Sequence, residues 1–307
     1  MPEPDEPRLS AVPERFRARL AEVASGSLPP NVALMHILME SESAEEATEI
    51  LNAGCVAFSD GPEPGARLEE LARLHERCPE AFATVKAVLA RVVHDREPAP
   101  GTSSLGALAA AFDGALSAAH QASVALYTLG SPELLKAATT EVVGALRGWG
   151  LLTRDRVVLE IGCGIGRFEE ALAPETRLVV GLDISAAMLA EARRRCAGLP
   201  NAAFLRTSGL NLAAFADSGF DLVLAVDSFP YLVQAGGALA ARHLEEAARA
   251  LRPGGDLVIL NFSYRGDLDR DRADIAAVAK GRFRTVRDGE RPFRLWDGAA
   301  FHLAKPA

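Results

Sequence analysis

Three glycines at alternate positions, Gly162, Gly164 and Gly166, follow an acidic residue, Glu160. A second acid, Asp183, stands 23 positions after Glu160, at the end of the apolar run Leu178 to Leu182. Glycines permit positive φ in a tight turn and let a ligand approach backbone that a Cβ would block. A carboxylate at the position of Asp183 can accept both hydroxyls of a ribose. Together these residues point to recognition of a nucleoside. The dinucleotide fingerprint would place its third glycine three positions after the second. Here the spacing is two, and Arg167 occupies the place of the last glycine, which disfavours a nicotinamide-dependent oxidoreductase.

Those residues need a particular set of elements to hold them. Val157 to Ile161 reads as a strand buried on both faces, and Phe168 to Ala173 as the helix after the glycine turn. Leu178 to Asp183 is a second strand, followed by a helix capped by Ser185. Ala203 to Arg206 is a short third strand, Phe220 to Val226 a fourth and Asp256 to Phe262 a fifth. Between the last two, His243 to Leu251 is helical and Arg252-Pro253-Gly254-Gly255 ends it. Alternation of this kind gives a mostly parallel, doubly wound Rossmann-like α/β sheet with helices on both faces. Asp288-Gly289 and Asp297-Gly298 are turn signals, with an antiparallel pair of strands expected between Phe283 and Leu303. In such sheets the ligand sits at the carboxyl ends of the central strands. That places the site at Gly162 to Gly166, Asp183 and Ile184, Thr207 to Gly209, and Val226 to Tyr231.

The segments Glu160 to Gly166, Val180 to Asp183 with Met188, Phe220 to Val226 and Leu251 to Gly255 occur in that order. They resemble the successive motifs of the class I S-adenosylmethionine-dependent methyltransferases, over roughly residues 127–307. The resemblance implies seven strands in the order 3-2-1-4-5-7-6 with the last antiparallel. It implies S-adenosyl-L-methionine as cofactor, with Gly162, Cys163 and Gly164 beside its methionine part and Glu160 supporting its amino group. Asp183 would hold the ribose, and Ile184 and Met188 would flank the adenine. Many family members carry an acid after the third strand for the adenine amino group. Here Arg206-Thr207-Ser208-Gly209 stands there, so Ser208 or the backbone at Gly209 must serve. Asp227 would line the methionine side, and Tyr127 would close over the cofactor. Asp227, Tyr231 and Tyr264 are the candidate catalytic residues near the methyl. A base is needed only if the acceptor starts protonated.

The preceding half reads as all-helical. One helix is expected from Pro13 to Val23 and another from Asn31. Ser43-Ala44-Glu45-Glu46 has capping-box spacing and starts a third, ending before Gly54. Ser59 to Gly65 reads as a loop, and Leu68, Leu71 and Leu74 mark a helical face beyond it. Proline at position 79 opens the next helix, and residues 95–102 read as a linker. Leu105 to Ala119 and Ser131 to Trp149 mark two more helices. These patterns divide the chain into a helical domain, residues 1–125, and a cofactor-binding domain, residues 126–307. The helical domain would serve as a lid, a substrate selector or a homodimer surface.

The formal net charge is −8, which disfavours nucleic acid as a partner, because phosphate binding needs concentrated Lys and Arg. Arg193-Arg194-Arg195 lies late in a helix, where cations complement the helix dipole. No apolar run approaches the roughly 20 residues of a membrane helix, and the acidic, proline-rich start differs from a signal peptide. A cytoplasmic location is expected. The four cysteines are widely spaced and should be free thiols. Asp267, Asp269 and Asp271 mimic a calcium loop, but Arg272 replaces its glycine and Val278 its closing glutamate. No metal is expected. The reading that follows is methyl transfer to a small molecule. A protein or nucleic-acid acceptor, or a non-catalytic cofactor-binding protein, are the alternatives.

Overall fold

The computed structural model describes residues 12–91 and 102–307. They fall into two compact units that no single cut in the sequence separates. Of the described residues, one comprises 12–91, 115–138 and 293–297; the other comprises 102–114, 139–292 and 298–307. Most of the expected linker at 95–102 lies outside the described residues.

The first unit is helical. Its early helices are α1 (Glu14–Ser25), α2 (Pro30–Glu40), α3 (Ala44–Ala57), α4 (Pro62–Arg77) and α5 (Ala81–Leu89). Their starts follow from local chemistry. Ser43 Oγ accepts the Glu46 N–H, and proline occupies the first turn of α2 and α4. Phe16, Leu20, Leu34, Ile37, Leu38, Leu51, Leu68 and Leu71 form the fully buried interior. Two expectations are corrected. Helix α3 does not stop before Gly54 but runs through it, because the missing side chain leaves room for Leu20, 3.0 Å from where a Cβ would sit. The loop expected at Ser59 to Gly65 is half helix: Pro62 and Pro64 belong to the first turn of α4, where their missing N–H is no loss. The buried Asn31 amide donates to the carbonyls of Tyr127 (2.9 Å) and Leu295 (2.8 Å). Tyr127 and Phe293 each stack on Trp296.

Two helices are shared between the units: α6 (Thr102–Ala118) and α7 (Pro132–Gly148). Ser131 caps α7, accepting the Leu134 N–H at 3.2 Å.

The second unit carries the sheet. In chain order it contains β1 (Val157–Ile161), α8 (Arg167–Leu172), β2 (Leu178–Asp183), α9 (Ala186–Arg195), β3 (Ala202–Arg206) and β4 (Phe220–Val226). Then come α10 (Phe229–Gln234), α11 (Gly237–Ala250), β5 (Leu251–Leu260), α12 (Leu268–Ala279), β6 (Arg284–Glu290) and β7 (Ala300–Ala304). The order is β3-β2-β1-β4-β5-β7-β6, with β7 antiparallel to both neighbours. This is a Rossmann-like α/β fold with the strand order and antiparallel strand that the resemblance implies. Strands β1 and β4 are almost wholly buried, as strands covered on both faces must be. Helix α11 starts at Gly237, earlier than His243, and Leu251 already pairs with Phe220, so the turn at Arg252 to Gly255 lies inside β5 as an irregularity. Asp288-Gly289 is not a turn. Gly289 adopts φ 89° inside β6, where the register to β7 shifts, which makes it a bulge. Asp267 caps α12 through the Arg270 N–H, which accounts for the acidic run there, and no metal-binding cluster occurs among the described residues.

Asp256 on β5 ties three strands together. It accepts from Arg156 ahead of β1 (2.9 Å) and meets His302 Nε2 on β7 (2.8 Å). Burial alone would raise its carboxyl, but His302 and Arg156 together hold it below the usual range. A depressed carboxyl stabilises the fold above the unfolded-state value and loses that stabilisation as pH falls through the folded one. The group is 8% exposed, between a surface pair and a fully buried one. Asp256→Asn should therefore cost about 2 kcal/mol at neutral pH. Urea unfolding from pH 7 to pH 3 should show the difference from the unsubstituted chain shrinking towards the acid end.

Candidate active site

Strand β1 pairs with β2 on one side and β4 on the other, so the connections leave it in opposite directions. A crevice at the carboxyl ends of these strands is the ligand site of open α/β sheets. The glycine turn follows β1 there. Gly162, Gly164 and Gly166 have φ of 77°, 52° and 75°, in the left-handed region that favours glycine. The turn is tied to β2: the N–H groups of Gly162 and Cys163 both donate to the Leu182 carbonyl at 2.8 Å. A Cβ on Gly162 would lie 2.5 Å from Ser228 Cβ, and one on Gly166 would meet Ala192 of α9. Two of the three glycines are therefore required by packing within the protein.

Asp183 ends β2 with one carboxylate oxygen accepting the Gly164 N–H (2.9 Å) and the other the Ser185 N–H (2.8 Å). The side chain is half-buried and bonded to backbone rather than to side chains. Burial raises its carboxyl, and the N–H groups of Ser185, Gly164 and Ile184 pull it back. A carboxylate can accept about four hydrogen bonds, so the group retains capacity for a ribose hydroxyl while holding the turn in place. Ser185 caps α9 by accepting from the Met188 N–H, and its hydroxyl donates to Asp113 of α6. Met188 itself is buried. Ile184 packs against Gly209, where a Cβ would meet it at 2.8 Å and Leu105 of α6 at 3.4 Å. Thr207 Oγ1 accepts the Gly209 N–H, and the exposed Ser208 accepts from Leu210.

Glu160 is buried beneath the turn, and its Oε2 has no hydrogen-bond partner. Cys163 is buried beside it, and burial pushes its thiol up, so it is protonated and unreactive. All four cysteines are free.

The ends of β4 and β5 form a polar cluster. Asp227 and Asn261 both have positive φ, 55° and 68°. Non-glycine residues in this region are uncommon and gather at functional sites. The Asn261 amide donates to Asp227 Oδ1 at 2.8 Å, and Asp227 N donates to the Leu260 carbonyl. The Tyr264 hydroxyl bonds both Asp227 and Tyr231, and the two rings meet edge-on at 5.7 Å. Phe112 of α6 meets Tyr231 edge-on at 5.1 Å. Loss of water around the hydroxyls, and the Asp227 charge, hold both phenols well above their ordinary range. Both are therefore protonated donors at neutral pH.

The second unit thus brings Glu160, Gly162 to Gly164, Asp183, Ile184, Gly209, Asp227, Tyr231 and Tyr264 to the carboxyl edge of one sheet. Tyr127 belongs to the helical unit, in the stack with Trp296. Residues the sequence did not single out are Asn261, Asp113, Phe112 and Glu169.

Residues 158–255 match the methyltransferase domain family. Over those residues the chain carries a methyltransferase domain. The match spans much of the edge just described, from β1 to the irregular start of β5. A demethylmenaquinone methyltransferase of Clavibacter sepedonicus is 32% identical over 52% of this chain and 59% of its own length. The chain thus spans little more than half of that relative. The phosphoethanolamine N-methyltransferase 1 of Haemonchus contortus, solved with phosphoethanolamine and S-adenosylhomocysteine, is 18% identical. It aligns with TM-score 0.51 over 67% of this chain and 49% of its own. The [4+2]-cyclase SpnF aligns with TM-score 0.50 at 17% identity, over 68% of this chain and 98% of its own. At these identities the two structures share the methyltransferase domain's fold and carry nothing further. No helix among the described residues is long and apolar enough to cross a membrane.

Proposed function

We propose that the chain transfers a methyl group from S-adenosylmethionine to a small-molecule acceptor. The observation that carries this reading is the Asp183 carboxylate. It is clamped to the Gly164 N–H at the carboxyl edge of the sheet, beside the glycine turn. The cofactor supplies a methyl already activated on a sulfonium, so the protein's work is alignment and exclusion of water. Asp183 binds the ribose hydroxyls, and Glu160 stands beneath the glycine turn as the counter-charge for the amino group. Ile184 and the Gly209 backbone border the adenine, with the buried Met188 behind them and Ser208 at the exposed rim. Tyr127 is kept as a proposed contact of the cofactor on the resemblance alone.

The acceptor binds at the Asp227 cluster. Tyr231 and Tyr264 are donors rather than bases, because their phenols hold their protons. They orient the acceptor, while Asp227, fixed by Asn261, is the group able to take a proton from an acceptor hydroxyl. The aromatic edges of Phe112, Tyr231 and Tyr264 suit an acceptor with an apolar or planar part. The net charge of −8 and the demethylmenaquinone methyltransferase name of the Clavibacter relative also support a small molecule over a nucleic acid. Tyr264→Phe removes the hydroxyl that bonds both Asp227 and Tyr231 and should lower kcat about tenfold or more. The dissociation constant for S-adenosylhomocysteine should not change. A loss of cofactor affinity instead would move Tyr264 out of the acceptor site.

The second reading is a protein that binds the cofactor without transferring its methyl, since a fold alone does not fix the chemistry. The test is incubation with labelled methyl donor and a panel of small hydroxy and amino compounds. Label in any acceptor supports the first reading. Binding of S-adenosylhomocysteine with no transfer across the panel supports the second.

A further inference from the structure

Glu169, on α8, is fully buried, and apart from its own backbone its carboxylate meets no hydrogen-bonding group among the described residues but the facing carboxyl of Glu160. Its place is made by the sheet: a Cβ on Gly181 of β2 would lie 2.4 Å from Glu169 Oε1 and 2.8 Å from Cys163 Sγ. Glu160 and Gly181 are register partners on adjacent strands, so the two glutamates approach on the same face, under the glycine turn. Two buried carboxyls that face one another cannot both ionise without a large penalty.

We propose that Glu160 and Glu169 share one proton, which leaves when the cationic amino end of the cofactor arrives beside Glu160, so that Glu169 is a positioning residue that couples binding to proton release. The inference rests on the cofactor assignment above. The free pair carries one negative charge and one O–H. On binding, that O–H breaks, the proton passes to solvent, and the second carboxylate charge is balanced by the ligand's ammonium.

The surroundings agree. Burial, the first cause, and the Glu169 charge push Glu160 well above the usual carboxylate range. Glu169 is raised to about 7, chiefly by burial, with the bond to Glu160 opposing. The other titratable groups facing the pair are Arg167 on α8, Cys163 in the turn, Asp183 on β2 and Cys196 beyond α9. Arg167 is the one cation among them and favours ionisation; Asp183 opposes it, and both thiols are held protonated. The pair is therefore poised for an added cation to tip. Linkage then gives the sign: above about pH 7, where the free pair keeps only the shared proton, affinity for the cofactor falls as pH falls, about tenfold per unit for one proton.

The test has two readouts on the full chain. Calorimetric titration of S-adenosylhomocysteine at pH 8, in buffers of different ionisation enthalpy, should show close to one proton released. Glu169→Gln, which keeps the shape and cannot ionise, should bind with no buffer dependence. Infrared difference spectroscopy should show a protonated-carboxyl band in the free chain at pH 8 that disappears on binding and shifts in Glu169→Gln. Tight binding with no proton released overturns the inference and leaves the cofactor assignment standing. Absence of binding overturns the assignment, and the infrared band of the free chain then decides the shared proton on its own. A free chain without that band contradicts the pair.

Discussion

Asp183→Ala should weaken S-adenosylhomocysteine binding between about tenfold and a hundredfold, the range expected when a charged acceptor of about 1.5–3 kcal/mol is removed. The effect has two sources. The ribose loses its carboxylate, and the Gly164 and Ser185 N–H groups lose the oxygens that hold the turn and the start of α9. Asp183→Asn separates them. The amide oxygen can keep one N–H bond but not both, and the uncharged group binds the diol more weakly. Its affinity should lie between those of Ala and the unsubstituted chain, as read by calorimetry at pH 8. Equal affinity for all three would remove Asp183 from the site, and with it the reading of the edge as a nucleoside pocket.

Gly162→Ala should destabilise the fold by about 3 kcal/mol or more. Alanine at φ 77° costs roughly 1–2 kcal/mol. The new Cβ would also stand 2.5 Å from Ser228 Cβ, and forcing such an overlap in a packed region costs a further 1–3 kcal/mol or so. For a unit of this size the melting temperature should drop by about 6–12 °C. Ser228→Gly in the same chain removes the collision but not the strained dihedral, and should recover about half the loss. It also removes the hydroxyl that donates to the Ile161 carbonyl at 2.6 Å, so full recovery is not expected. If the pair is no more stable than Gly162→Ala alone, the packing explanation for this glycine fails.

How much of this could be read from the sequence depends on the range of each interaction. The strand bounds Leu178–Asp183 and Phe220–Val226 are legible because their apolar runs end abruptly at a polar residue. The caps at Ser43, Ser131 and Ser185 are legible because a cap acts within three residues. Gly54 misleads because its partner, Leu20, is 34 positions away, and only that contact shows why a helix passes through it. Asp288-Gly289 misleads because a positive-φ glycine serves a bulge as well as a turn. In the site, Glu160 and Asp183 stand out by their spacing from the glycines. Asn261 does not, since its bond to Asp227 joins two strand ends 34 residues apart. Glu169 was within reach. Leu172 lies three positions after it and four after Phe168, so helical periodicity puts Glu169 on the buried face. Adjacent Glu169 and Glu170 look alike in sequence, yet only the first is inside.

The most direct test of the central claim is hydrogen–deuterium exchange of the full chain with and without S-adenosylhomocysteine. The account predicts slowed exchange in peptides covering Gly162 to Arg167 and Asp183 to Met188, the two backbone stretches joined through the Asp183 carboxylate. Unchanged exchange in both, with protection only elsewhere in the chain, would contradict it.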